Sequence, residues 1–180
     1  TQTFLKAFAE MPSGTLSLQN YPRQLYGLEK PGMPQAINLA EIDIFRDRQR
    51  GLPRYNDMRR QLLLEPYESL DDLTSNEEEL ELLKSVYSDI EQVDLMVGSL
   101  VDQDRPAGFA FGIVPFHVFV TMASRRILSD RFLMEDFNPS VYTQWGYDYV
   151  QGQTFRQVLA RHFPELEGNM PENPFMNWPS

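Results

Sequence analysis

Over most of this chain, apolar side chains return every three or four positions, the period that gathers them on one side of an α-helix. Leu39, Ile42 and Phe45 follow that spacing behind Asn38, a good N-cap, and Glu41 stands three residues on, as in a capping box. Gly51 and Pro53 should end this helix. A second helix is predicted over 54–64, with Met58 and Leu62 on one face and Pro66 closing it. Ser75 and Glu78 make another capping-box pair ahead of Leu80, Leu83, Val86 and Tyr87, and a short helix should follow over 90–100. Pro115 suits the first turn of a longer helix running to about Leu128, with Phe116, Phe119, Val120 and Ala123 expected to be buried. Asn138-Pro139 opens a further turn, and Thr154 with Gln157 caps a helix carrying Phe155, Val158, Leu159 and Phe163. No stretch alternates with the period of a strand. The pattern predicts a mainly α protein.

Turn-formers divide the chain. Residues 1–37 hold Met11-Pro12-Ser13-Gly14, Tyr21-Pro22 and Pro31-Gly32, so they read as a loop-rich lead-in with one short helix over 4–9. Residues 38–165 read as the helical body. The stretch 166–180 reads as an irregular tail, because Pro171 to Ser180 carries three prolines. The whole is expected to be one domain or part of one.

Composition narrows the classes. A chain of 180 residues, 42% hydrophobic, with 12 Phe, 8 Tyr and 2 Trp, can bury a core and is not a disordered tail. It has no Cys, which excludes a disulfide scaffold, a thiolate metal site and a thiol nucleophile. The net charge of −10 argues against a nucleic acid as partner, since phosphate neutralisation needs an excess of Lys and Arg. No run approaches the roughly 20 apolar residues that span a bilayer. Thr1 to Ala9 lack a signal-peptide pattern. A cytoplasmic location, or one peripheral to a membrane, is favoured on these grounds. The absence of an initiator Met implies a processed, internal or cut start.

The residue types that carry chemistry are sparse. His117 and His162 are the only two His, each without a ligand-type neighbour three or four positions away. His117 in an apolar helix reads as a core or interface residue, and His162 sits where a helix C-terminus favours a cation. Two arginine features stand out. Asp43, Arg46, Asp47 and Arg50 share one side of the first long helix, a pattern of a solvated ion-pair face. Arg126 falls four after Met122 and seven after Phe119, on a stripe expected to be buried. There it needs either a structural carboxylate or the carboxylate of a ligand, which an Arg fork binds in bidentate fashion.

The run Leu39 to Asn56, ending Arg46-Asp47-Arg48-Gln49-Arg50-Gly51-Leu52-Pro53-Arg54-Tyr55-Asn56, resembles a stretch shared by the animal-type haem peroxidases. The Gly-Leu-Pro-x-Tyr-Asn core is its specific part. Tyr55-Asn56-Asp57-Met58-Arg59-Arg60, Val93-Asp94-Leu95-Met96-Val97-Gly98, Gly108-Phe109-Ala110, Met122-Ala123-Ser124-Arg125-Arg126, Asp130-Arg131-Phe132, Asp136-Phe137-Asn138 and Tyr142-Thr143 continue it in order, and they look most like the fatty-acid α-dioxygenase branch.

The resemblance implies the C-terminal helical portion of an animal haem peroxidase-like domain. Its cofactor is haem. In the family, the distal His, the proximal His ligand and the radical-forming Tyr lie upstream of the matching segment, so this chain is expected to begin after them, with no catalytic residue and no metal ligand of its own. Asp43 matches an Asn that accepts a hydrogen bond from the proximal His. Arg46 matches an Arg near a haem propionate. Arg126 looks like the Arg that binds the fatty-acid carboxylate, with Arg125 as the one-residue alternative. The implied chemistry is removal of hydrogen from the carbon next to the carboxylate by a Tyr radical, then O₂ addition to give a 2-hydroperoxy fatty acid. This segment would fix the carboxylate end, and Phe109 to Met122 would help to line the acyl channel. The expected partners are the upstream part of the peroxidase domain and a fatty acid, with peripheral membrane contact kept as an option. Two other readings stand beside it: another fatty-acid oxygenase of the superfamily, of the linoleate dioxygenase kind, or a non-catalytic helical binding module. A large exposed apolar patch would count against the last.

Overall fold

The computed structural model describes residues 2–11, 14–29, 31, 32, 34–176 and 178. The turn expected at Pro12-Ser13 and the end of the expected irregular tail, at 177, 179 and 180, lie outside them. Among the described residues the α-helices run in the order α1 (Gln2–Glu10), α2 (Leu39–Gln49), α3 (Tyr55–Gln61), α4 (Glu77–Val86), α5 (Leu95–Val101), α6 (Ile113–Ser129), α7 (Pro139–Gly152) and α8 (Phe155–His162). No strand forms among these residues; one isolated antiparallel bridge joins Leu28 and Ile37. The protein is mainly α, as its periodicity predicts. No helix among the described residues is long and apolar enough to cross a membrane.

The chain divides into two compact units, residues 14–122 and residues 1–13 with 123–180. In the first, α3 packs against α5 and against the helical turn Ile90–Gln92. Tyr55, Leu73, Val93, Leu83, Ile90, Val101 and Val114 form its buried centre. Gly98 makes the α3–α5 contact tight: a Cβ there would fall 2.1 Å from Cγ of Tyr55, so only a glycine admits the ring. The second unit gathers Leu159, Leu166, Met170 and Trp178, with Leu5, Ala9 and Phe163 against them. Trp178 Nε1 donates to the Pro174 carbonyl at 2.6 Å, which satisfies the one polar atom of the buried indole.

Local signals placed the helix starts well. Asn38 Oδ1 accepts from the Glu41 amide at 3.3 Å. Thr154 and Gln157 form the complete capping box. Gly51 takes a positive φ of 68° just past the end of α2. Other expectations need correction. The cap of α4 is Asn76, not Ser75: its side chain accepts from the amides of Glu78 and Glu79, while the Ser75 hydroxyl donates to Gln103. The helix expected over 90–100 is broken at Val93 and Asp94, both extended, which leaves a short turn and then α5. Val86 faces outward, because the α4 stripe that meets the core is Leu80 and Leu83. Asn138 does cap α7, but α7 is kinked at Thr143, whose φ is +63°.

Candidate functional site

The Arg46-to-Asn56 run and the helix after it fold onto two buried aspartates that bracket α5. Asp94, the residue before the helix, receives the Arg48 guanidinium in bidentate fashion, Nε at 2.9 Å and Nη2 at 2.6 Å. Arg54 and the Tyr87 hydroxyl (2.8 Å) complete its shell. Burial alone would raise the Asp94 carboxyl, but hydrogen bonds from Arg48 and Tyr87 and the charges of Arg54 and Arg48 outweigh it and hold it below the usual carboxylate range. Tyr87 is pushed up to about 12 by burial and by its bond to that carboxylate. Asp102, just past the end of α5, is fully buried. It accepts from the Tyr55 hydroxyl, from Arg59 Nη1 (3.1 Å) and from the Tyr67 hydroxyl (2.9 Å). Both phenols are driven well above the ordinary tyrosine range, first by burial and then by Asp102. The Arg59 guanidinium lies 3.9 Å over the Tyr67 ring. Asn56 pairs with the Tyr67 backbone in both directions (3.0 and 2.8 Å) and donates to Glu91, which also holds Arg60. Arg60 keeps the Glu91 carboxyl below its usual range. The residues that carry the resemblance therefore lock the fold.

Beside α5 lies an apolar groove of about 460 Å³, lined by Leu16, Met58, Leu95, Met96, Leu100, Phe111, Val114, Pro115, Val118 and Phe119, with Ser99 the one hydroxyl-bearing residue among them. Its size and lining match a site for a mostly apolar small molecule. Phe109, Phe111, Phe116 and Phe119 form a chain of aromatic contacts beside it, with ring centroids 4.6 to 6.3 Å apart.

The four candidate residues fall in two places. Asp43 and Arg46 form an ion pair one helical turn apart on α2, with half of the Arg46 side chain in solvent. Ile42 and Phe45 are exposed beside them. A carboxylate and a guanidinium, being neither imidazole nor thiolate, suit the rim of a haem and not its iron. Arg125 and Arg126 are both exposed near the end of α6, with no ion-pair partner among the described residues. This corrects the expected buried stripe. Phe119 and Val120 are 50% and 42% exposed and Leu128 is 68% exposed, because the described residues do not cover that half of the helix. His117 is half-buried, with Nδ1 2.9 Å from the Ile113 carbonyl of its own helix, and His162 ends α8.

The chain matches the animal haem peroxidase family over residues 1–175. It belongs to that family. It is 37% identical over 177 residues to α-dioxygenase 1 of Arabidopsis thaliana, covering 93% of this chain and 28% of that one. It is 40% identical over 160 residues to the α-dioxygenase PIOX of Oryza sativa, covering 85% of this chain and 26% of that one. The crystal structure of a substituted rice fatty acid α-dioxygenase with palmitic acid superposes with a TM-score of 0.82 at 35% identity, over 96% of this chain and 30% of that one. The chain thus spans about 28% of the Arabidopsis relative's length, as a segment of a larger domain does. In this setting the α-dioxygenase-like character is a property of the segment.

Sequence reasoning missed Asp102 altogether. Asp94 stood inside a family-like run, but nothing in the sequence marked it as buried. The only available signal was an aspartate flanking each end of an apolar helix, and most such residues are solvent-exposed caps.

Proposed function

We propose that this chain is the C-terminal part of a haem-dependent fatty-acid α-dioxygenase, with the upstream part of the peroxidase domain as its partner and a fatty acid as substrate. The observation that carries the reading is the apolar groove of about 460 Å³, in a chain whose relatives are named as α-dioxygenases. The groove residues Leu100, Phe111 and Phe119 receive an acyl chain and exclude water from it. Separately from the groove, and on the family resemblance alone, Arg126 is assigned to the fatty-acid carboxylate, with Arg125 as the alternative. Both guanidiniums are exposed and without an ion-pair partner among the described residues, so neither gives up an internal carboxylate to take one. Arg46 pairs with a haem propionate and Asp43 accepts a hydrogen bond from the proximal imidazole, each loosening the ion pair they now share. Haem, when bound and oxidised by a hydroperoxide, would supply the oxidising equivalents. The work of this segment is to hold the substrate still.

The exposed apolar side chains Phe45, Phe119 and Leu128 on α2 and α6 support an assembled enzyme over a free-standing binding module. In the enzyme that contains this segment, Arg126→Ala is expected to raise the KM for palmitic acid about 10-fold or more, as loss of a charge-assisted pair does, with the Soret absorbance per protein unchanged. An unchanged KM in both Arg126→Ala and Arg125→Ala removes the carboxylate anchor from this chain.

A further inference from the structure

Three backbone segments converge on one side chain of the 14–122 unit. Arg105 Nη1 donates to the carbonyls of Leu16 (2.8 Å) and Ala110 (3.2 Å), and Nη2 donates to the carbonyl of Leu100 (3.0 Å). The Leu16 amide donates in turn to Ala110 at 2.6 Å. These segments are walls of the apolar groove: Leu16 and Leu100 line it directly, and Phe111, next after Ala110, lines it as well. The adjoining Asp104 carbonyl accepts from the Ile113 amide at 2.8 Å, which ties the same loop to the first residue of α6.

We infer that Arg105 is the positioning residue that sets the width of this groove and so its selectivity for acyl-chain length, an inference that rests on reading the groove as the acyl site. The Leu100 carbonyl lies in the last turn of α5, where no intrahelical amide is left for it, and Leu16 and Ala110 lie outside any helix or strand. A planar guanidinium with donors fixed in a fork holds three such acceptors at once in one geometry. An ammonium has no fixed fork, and an apolar side chain leaves the Leu16 and Leu100 carbonyls to water and the Ala110 carbonyl with the Leu16 amide alone. Without the clamp, Leu16 and Phe111 are free to move relative to Leu100. An acyl chain then loses contact along its length, so the loss grows with each methylene. Arg105 touches no reacting atom; it acts through the walls.

The test uses the enzyme that contains this segment and a series of saturated fatty acids of increasing length, ending at palmitic acid. Arg105→Met is expected to raise the KM for palmitic acid about 10-fold while leaving that for the shortest acid within about 2-fold, so that the dependence on length flattens. The kcat for the shortest acid and the Soret absorbance should hold. Arg105→Lys should restore part of the length dependence. A KM that rises equally at every length marks a merely structural residue and overturns the inference, as does an unchanged profile. Phe119→Ala and Leu100→Ala separate the two layers. If they alter the length profile and Arg105→Met does not, the acyl site stands and the clamp falls. If none of the three does, the acyl-site reading itself falls. Should Arg105→Met not fold, Arg105→Lys carries the kinetics, and hydrogen exchange gives a second readout. The Leu16 amide should lose protection in that variant while the Tyr55 amide, bonded to Val93, keeps it. Equal protection at both amides overturns the clamp.

Discussion

The centre of the 14–122 unit and the surface of α6 invert the usual distribution of side chains. Around α3 and α5, charged and hydroxyl groups are inside: Asp94, Asp102, Arg59 and Asn56 are all buried. Along α6, apolar groups are outside, with Val118, Phe119, Val120, Met122, Ile127 and Leu128 all at least 40% exposed. The difference separates two kinds of constraint. A buried charge is tolerated only when every partner is in place, so the polar centre specifies one arrangement of its helices. An exposed apolar surface adds little to this chain's stability, and its retention points to something that covers or enters it. The first region explains why the chain folds as it does, and the second is where, on the function proposed above, a fatty acid and the upstream part of the domain would act.

The sharpest way to break that comparison is to remove the central carboxylate. Asp102→Ala leaves Arg59 without its buried counter-charge, and the buried Tyr55 and half-buried Tyr67 phenols without an acceptor. It should cost about 3–5 kcal/mol, the usual toll of orphaning one partner of a buried pair. Urea unfolding followed by far-UV circular dichroism measures it. A loss below about 1 kcal/mol would mean that the two tyrosines and Arg59 find water, and the polar centre would then be no lock.

A smaller loss, about 2–3 kcal/mol, is expected from Gly98→Ala. The added methyl meets Cγ, Cδ2 and Cβ of Tyr55, within 2.6 Å or less, and the ring root cannot swing away as a flexible tip can. The helices must part, which also stretches the bond from Tyr55 to Asp102. The thermal midpoint should fall together with Tyr55 amide protection. A midpoint that falls while that protection holds would place the strain elsewhere than the α3–α5 contact.

How much of this was legible in the chain depends on the range of the interaction involved. The caps at Asn38 and Thr154 are read within four residues, and both are in place. Asn76 displaced Ser75 because both residues suit a cap and sit side by side, and only the path of the chain decides between them. The Gly-Leu-Pro-x-Tyr-Asn core marked the family, but not its physical role: Arg48 finds Asp94, and Arg59 finds Asp102, across more than forty positions. Periodicity cannot say which charged residue meets which at such range. Burial along α6 was misjudged for a related reason, since an apolar stripe reports that a face can be covered, not by what. The Thr143 kink had no signal at all, as threonine rarely takes a positive φ. The clamp at Arg105 was equally silent, because its three acceptors are backbone carbonyls.

The gentlest test titrates the polar centre without cutting it. Asp94 has a folded-state carboxyl below its unfolded value, so its contribution is present above the unfolded value and is lost as pH falls through the folded one. Glu91, held down by Arg60, adds in the same direction from the surface. Tyr87 runs the other way. Its folded value of about 12 lies above the unfolded phenol, so its contribution is complete below about pH 10 and is lost as pH rises toward 12. The urea midpoint should therefore be flat near neutrality, fall below the ordinary carboxylate range and fall again in alkali. Asp94→Asn should flatten the acid limb. It should ease the alkaline limb only in part: the Tyr87 hydroxyl loses the anion beside it, but burial still raises that phenol, and burial with Asp102 still raises Tyr55 and Tyr67. An acid limb of the same slope in Asp94→Asn would assign acid sensitivity to surface carboxylates. The polar centre would then be held by its geometry alone, and only the deletion at Asp102 would remain to measure what its charge contributes.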